Sequence, residues 1–342
     1  MYGRVLTETL ISVIITAYNR NEYLLQAVES ALDQTLHRSK YEIIVVKNFS
    51  DPVIDGVLTS QNIKSVLVKD LSVGEFILMG LQSSEGNILC FLDDDDLFTK
   101  DKVQVIFDEF SANEQLNFFH NAFDAINKDG KKLNEDLFPQ IQNRIEIREA
   151  EKFSEILGKL LKFSANINLS SMSVRRTLLE KNSEFLRRLT ASTDNFVFFT
   201  AANFGKIMIF DSTRLTKYRI HESTSHTTAD LAEAGAKNIL HEEKHLASLA
   251  LMLEMSADSP FHQFLAWRRI DSKITYHLFG GHKNLSFPEY LFYLKYGLKL
   301  RNMASPLYAI LDFLARFFPL TVTRYYVLYK SRALKAKLRL VV

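Results

Sequence analysis

Cysteine is almost missing from this chain: Cys90 is the single one in 342 residues. No disulfide framework and no cysteine-based metal site can be built, and a reducing compartment is expected. No apolar run reaches the roughly 18–20 uninterrupted residues of a membrane span. The best stretch, Pro306 to Leu320, is broken by Asp312 and Arg316. Net charge is also small, 42 basic against 40 acidic residues for +2 overall, which excludes a dedicated nucleic-acid binder on charge alone. The N-terminal segment "MYGRVLTETLISVIITAYNR" has neither a long apolar region nor a small-residue cleavage site, so no signal peptide is expected. Finally, "TAYNRNEY", which follows the first apolar run, contains no glycine. That argues against the Gly-rich phosphate loop of a nucleotidyltransferase.

What is present is an ordinary α/β rhythm. With 47% apolar residues the chain can bury a substantial core, and its length suits a large catalytic domain plus an appendage. "ISVIITA" (11–17), "YEIIVVK" (41–47), "IKSVLVKD" (63–70) and "NILCFLD" (87–93) are short β-branched or apolar runs that predict buried strands. "NEYLLQAVESALDQ" and "GEFILMGLQSSEG" have helical spacing, and Gly86 is expected to stop the second helix. The alternation implies a mostly parallel sheet covered by helices. Ligands of such sheets bind beyond the carboxyl ends of the strands. Further on, "LNFFHNAFDAI" and "LSSMSV" predict strands, and "AEKFSEILGKLLKF" and "TDNFVFFTAANFG" predict helices. Segment 126–148 is polar, and reads as a mobile loop or a covering flap. The expected organisation is a catalytic domain over 1–228, a long connecting helix over 229–260, and a basic, aromatic-rich helical region over 261–342.

The stretch "FLDDDDLF" (91–98) sets four carboxylates at the carboxyl end of the fourth predicted strand. A solvated turn would account for some of this acidity. A divalent cation accounts for more, because Mg²⁺ and Mn²⁺ take carboxylate oxygens and Mg²⁺ is commonly held by one or two carboxylates plus substrate phosphates. Haloacid-type phosphatases also carry aspartates after a strand, but their loop continues with Gly and Thr, whereas this one continues Leu-Phe-Thr.

Three segments in this order, "ISVIITAYNRNEYLLQAVESALDQT", "YEIIVVKNFSD" and "ILCFLDDDDLFTKDKV", resemble the family 2 glycosyltransferases, from Ile11 to about His226. The resemblance implies a GT-A-type α/β domain with a mostly parallel sheet, a nucleotide-sugar donor, an inverting transfer and a Mn²⁺ or Mg²⁺ cofactor. By position it implies that Ala17, Tyr18 and Asn19 begin the nucleotide pocket, with Tyr18 packing on the base. Asp93 and Asp94 would face ribose and diphosphate, Asp95 would ligate the metal, and Asp96 would support it. "STDNFVFFTAANFGKI" matches the segment of the catalytic base, so Asp194 inherits that role, with Thr193 where the family usually has an acidic neighbour. "YRIHESTSH" matches the family's Tyr-Arg-x-His ending, which makes His221 a metal or diphosphate ligand supported by Arg219. Where the family often reads Val-Asp-Asp-Gly-Ser, this chain has Val46-Lys47-Asn48-Phe49-Ser50. Asn48 can still present a donor and an acceptor to a base edge. A non-catalytic protein that has kept the nucleotide pocket is the alternative reading.

From Leu285 onward ten Lys and Arg face two acidic residues, Glu289 and Asp312, a surplus of eight that leaves about −6 on the rest. In "LYAILDFLARFF" the residues Leu307, Ile310, Leu311, Leu314, Phe317 and Phe318 form one apolar stripe. Arg316, Arg324, Lys330, Arg332, Lys335, Lys337 and Arg339, interleaved with Tyr325, Tyr326 and Tyr329, surround it. Such a pattern suits a helix lying in a membrane surface, or else an ordinary bundle packed on the catalytic domain or another subunit. The expectation is a cytoplasmic enzyme, peripheral on the inner face of the cell membrane, whose acceptor is a sugar or a lipid-linked species. No nucleic-acid partner is expected, and a homo-oligomer is left open.

Overall fold

The computed structural model describes residues 10–69, 71–134, 137–221, 231–282, 284–300 and 304–339. The chain divides into two compact units. The first unit, residues 1–126, 138–188 and 193–219, is α/β. Its strands are β1 (Ile11–Ala17), β2 (Tyr41–Lys47), β3 (Lys64–Leu67), β4 (Ile88–Asp93), β5 (Leu97–Phe98), β6 (Leu116–Ile126), β7 (Ile145–Ile147), β8 (Met172–Arg175) and β9 (Ile207–Arg219). They form one sheet in the order β3-β2-β1-β4-β8-β6-β9-β5, with β7 paired to β9. From β3 to β4 all pairings are parallel; β8 then runs antiparallel to both β4 and β6, and β6 is parallel to β9. A run such as "ISVIITA" is apolar on both faces because a central parallel strand is covered on both sides. All of β1 is buried except Thr16.

The helices of this unit are α1 (Leu24–Leu32), α2 (Pro52–Ser60), α3 (Val73–Ser83), α4 (Lys102–Ala112), α5 (Ala150–Lys162), α6 (Arg176–Glu180), α7 (Ser183–Arg187) and α8 (Thr193–Phe204). Three local expectations are corrected. β3, expected to be buried, is an edge strand with Lys64, Ser65 and Leu67 exposed. Gly86 does not end α3, which stops at Ser83 with Ser84 as its cap. The reason for glycine there is a close approach: a Cβ on Gly86 would fall 2.5 Å from Ser12 Oγ and 2.6 Å from Ser12 N, and its N–H donates to Ser12 Oγ at 2.8 Å. We expect Gly86→Ala to cost about 1–3 kcal/mol through this overpacking. Chemical denaturation will read it as a lowered midpoint at unchanged slope. Segment 126–148 is also not wholly a loop, since Ile145–Ile147 pairs antiparallel with Met208–Phe210 of β9.

α8 is apolar nearly all round, and Phe196–Ala202 are buried without a break. Its phenylalanines lock against the sheet, Phe198 contacting Phe118, Phe210 and Phe153 at ring-centroid distances of 5.3–6.2 Å. A helix buried on every side has one rotational setting, and that fixes where its first turn presents Asp194.

The second unit comprises residues 127–137, 189–192 and 220–342. Its helices are α9 (Leu231–Met255), α10 (His262–Leu278), α11 (Phe287–Lys299), α12 (Ser305–Ala315) and α13 (Pro319–Arg339). α10 is central, touching the other four, and α9, read from the sequence as a connector, packs on α10 and α13. No described helix is long and apolar enough to cross a membrane.

Candidate active site

Three strand ends build the site. In register, Ala17 of β1 lies beside Lys47 of β2, and Thr16 lies beside Asp93 of β4. The loops after these strands, carrying Tyr18–Arg20, Asn48 and Asp94–Asp96, therefore emerge together at the carboxyl edge of the parallel half. Asn19 turns the chain in the left-handed region, φ 53. Its N–H donates to Asn48 Oδ1 at 2.8 Å, and Asn48 Nδ2 returns a bond to Asn19 Oδ1 at 2.7 Å. Asn19 and Asn48 thus brace one another. Tyr18 is exposed, with its ring edge-on to Phe76, so its free face suits stacking on a planar ligand.

The opening of β4 onto the acidic loop brings in a cation that the sequence did not reveal. Arg20 Nε donates to Asp94 Oδ2 at 2.6 Å, and Nη2 donates to Asp94 Oδ1 at 2.7 Å and lies 2.7 Å from Asp95 Oδ2. Burial works against the guanidinium's charge, but these bonds outweigh it and hold Arg20 above its ordinary range. Both oxygens of Asp94 accept from Arg20, so Asp94 presents a guanidinium to whatever binds there. Arg219, expected to support His221, is 1% exposed. Its N–H donates to Asp96 Oδ1 at 2.8 Å, Nε to the Asp95 carbonyl at 2.7 Å and Nη2 to Gln26 Oε1 at 2.9 Å, and it lies over the Tyr23 ring. In this position Arg219 clamps the acidic loop from beneath.

Even so, the loop has more negative charge than its cations balance. Asp93 is pushed up to about 8, first by burial and then by the charges of Asp95, Asp94 and Asp194. Burial raises Asp96 well above the carboxylate range, with Asp95 and Asp93 adding to it. Asp96 Oδ2 is buried and lacks a hydrogen-bond partner among the described residues. These are the marks of carboxylates that a further cation would suit. Among the described residues no three His, Cys, Asp or Glu side chains gather into a metal-holding group. The residues therefore fit a cation held by a carboxylate and completed by ligand oxygens, not a cage made by protein alone.

Asp194 stands in the first turn of α8, and its charge adds to those that raise Asp93. Burial raises the pKa of Asp194, opposed by bonds from the N–H and side-chain amide of Asn195 (2.7 and 3.1 Å) and from the backbone of Asn168. A turn at Asn168–Ser171 links the two acids. Asn168 is buried at φ 71, and Ser170 Oγ accepts from the Asp93 N–H at 2.9 Å. Behind it, buried Lys102 donates to Asn121 Oδ1 and to the Ser170 carbonyl (3.2 Å for the latter). Tyr218 is the other residue not singled out from sequence. It packs edge-on to Phe123 and Phe138, and its hydroxyl is raised by burial and then by Asp96, Asp194, Asp95 and Asp93. His221 lies two residues beyond β9 and belongs to the second unit. Residues 222–226 of the "YRIHESTSH" match fall outside the described residues.

Comparison with known proteins finds glycosyltransferase relatives. The model of "Glycosyl transferase family 2" matches residues 12–182. An uncharacterized glycosyltransferase of Rickettsia felis is 29% identical over 185 residues, covering 49% of this chain and 29% of that protein. One from Nostoc sp. is 28% identical over 232 residues, covering 64% of this chain and 67% of that protein. The chain thus spans under a third of the Rickettsia relative's length. Among solved structures, S. aureus TarS 1–349 in complex with UDP-GlcNAc superposes with a TM-score of 0.53 at 14% identity, covering 93% of this chain and 91% of that one. At that identity the likeness concerns the fold.

Proposed function

The chain belongs to glycosyl transferase family 2, and on that premise we propose that it moves a sugar from a nucleotide-sugar donor to an acceptor hydroxyl, inverting the anomeric centre. The observation that carries this reading is the convergence of Asp93–Asp96, Arg20 and Asp194 at one carboxyl edge of the sheet. In the reaction the acceptor oxygen bonds to the anomeric carbon as the bond from that carbon to the diphosphate oxygen breaks. The acceptor's proton passes to the Asp194 carboxylate, acting as general base. Tyr18 stacks on the nucleoside base, and Asp93 faces the ribose. Arg20, anchored by Asp94, stands ready to meet the diphosphate's charge. Asp95 would hold Mn²⁺ or Mg²⁺ together with oxygens of the bound donor. When bound, the ion supplies Lewis-acid stabilisation of the leaving group.

For the acceptor we propose a lipid-linked species at a membrane surface. The surplus of eight basic charges after Leu285 supports it. S. aureus TarS was crystallised with UDP-GlcNAc, so that compound heads the donors to be tried. Incubating the chain with a panel of nucleotide sugars and Mn²⁺ is expected to release nucleoside diphosphate from at least one, and excess EDTA is expected to stop it. If a donor is bound but none is turned over, the non-catalytic alternative stands in its place.

A further inference from the structure

Helix α12 sits in the second unit the wrong way round for a soluble bundle. An apolar stripe on a helix ordinarily faces the core. Here the buried positions are Ser305, Ala309, Asp312 and Ala315, while Leu307, Ile310, Phe313 and Leu314 are exposed, as are Phe317 and Phe318 just beyond. Leu320 at the start of α13 is 86% exposed and Phe287 at the start of α11 is 74% exposed. The bundle core on α10 is apolar, but the side of α12 that faces inward brings polar groups with it. Asp312, 0% exposed, accepts from the Tyr290 hydroxyl and pairs with His277 Nδ1 at 2.8 Å. The Tyr293 hydroxyl donates to Asp271 at 2.7 Å.

This inversion also disposes of the negative charge. Glu289 and Asp312 are the two acidic residues after Leu285. Glu289 closes the N-terminus of α11 through Ser286 and pairs with Lys273, and Asp312 is buried. Neither is free to offset the exposed Lys295, Lys299, Arg316, Arg324, Lys330 and Arg332. Exposed Tyr325 and Tyr329 lie on α13 among these cations. Among the described residues the face is therefore apolar and basic, its two carboxylates being paired or buried.

We propose that this face, the outward side of α12 with the exposed ends of α11 and α13, docks on an anionic lipid bilayer, lying in its surface. Anionic headgroups complement the cations, acyl chains take the leucines and phenylalanines, and tyrosines suit the boundary between them. A second copy of the chain is the poorer occupant, since a two-fold contact would set one basic rim against another. The docking rests on the reading of the protein as a transferase working at a membrane, and names the partner its acceptor comes with.

The test is flotation of the full chain with vesicles of phosphatidylglycerol and phosphatidylcholine, or of phosphatidylcholine alone, at low salt. We expect at least a tenfold greater bound fraction with the anionic vesicles, falling as salt is raised. Ile310→Glu with Phe317→Glu is expected to abolish flotation while leaving the melting temperature unchanged. Failure to float with anionic vesicles, or full flotation of the double variant, overturns the proposal. So does a dimer in sedimentation that the double variant dissociates while the wild type ignores vesicles. Nucleotide-sugar hydrolysis in water, assayed on the same preparation, separates the two readings. Hydrolysis without flotation removes the docking face alone, and flotation without hydrolysis removes the transferase reading alone.

Discussion

Asp95→Ala is expected to lose turnover by a factor on the order of 10³ or more while the fold stays intact. The size follows from the several kcal/mol that a metal ion contributes to stabilising charge on a leaving diphosphate, at about 1.4 kcal/mol per tenfold in rate. The intact fold follows from what Asp95 touches. Its carbonyl, which the substitution keeps, accepts from Arg219 Nε. Its carboxylate pairs with Arg20, which keeps both of its bonds to Asp94. Removing one of four crowded carboxylates also relieves like-charge repulsion, since Asp95 is the largest single charge raising Asp93. Melting in metal-free buffer should therefore be no lower than in the wild type, and circular dichroism unchanged. Calorimetry with Mn²⁺ and a nucleoside diphosphate should show heat for the wild type and none for the variant. A variant that keeps its rate, or that binds Mn²⁺ as the wild type does, removes the metal from Asp95.

Much of the first unit could be read from local pattern because its signals were strong and unmixed. β1, β2 and β4 are continuous apolar runs, and α8 follows its sequence signal to within a residue. β9 was missed because "IMIFDSTRLTKYR" changes character halfway. Its first four residues are buried, but a register shift near Asp211 turns the rest toward alternating exposure. α2 had a readable start that went unused, Asp51 capping the helix and Pro52 opening it. At the site, the acidic loop was plain because four aspartates after a strand are unusual, and Asp194 followed from a motif. Arg20 and Tyr218 were not visible in this way. Arg20 meets Asp94, 74 positions away, and Tyr218 is raised by the charges of two distant segments. Those relations exist only once the strand order is known. The same holds for α12. Its periodic stripe is plain in sequence, but periodicity does not say which side of the stripe faces inward. The buried Asp312, paired with His277 and Tyr290, fixes that choice.

Asp194→Asn is the sharper test of chemistry, because it keeps the shape and one acceptor oxygen while removing the base. If the acceptor is a sugar hydroxyl, its proton must be taken up as the new bond forms, and kcat should fall by about 10²–10⁴-fold with little change in donor KM. The pH dependence should identify the cause. Burial raises Asp194 above the ordinary carboxylate range. The ionised form is the active one, so the wild-type rate should fall as pH drops through that raised value, at a higher pH than a solvent-exposed aspartate would give. In the variant this acid limb should disappear, because asparagine does not titrate. A structural role for Asp194 would lower the rate without removing the limb. An acceptor that is already ionised, such as a lipid-linked phosphate, needs no base, and would leave the variant at near-normal rate. That outcome would exclude the hydroxyl acceptor and keep the rest of the proposed site, because the roles proposed for Arg20, Asp93 and Asp95 are toward the donor.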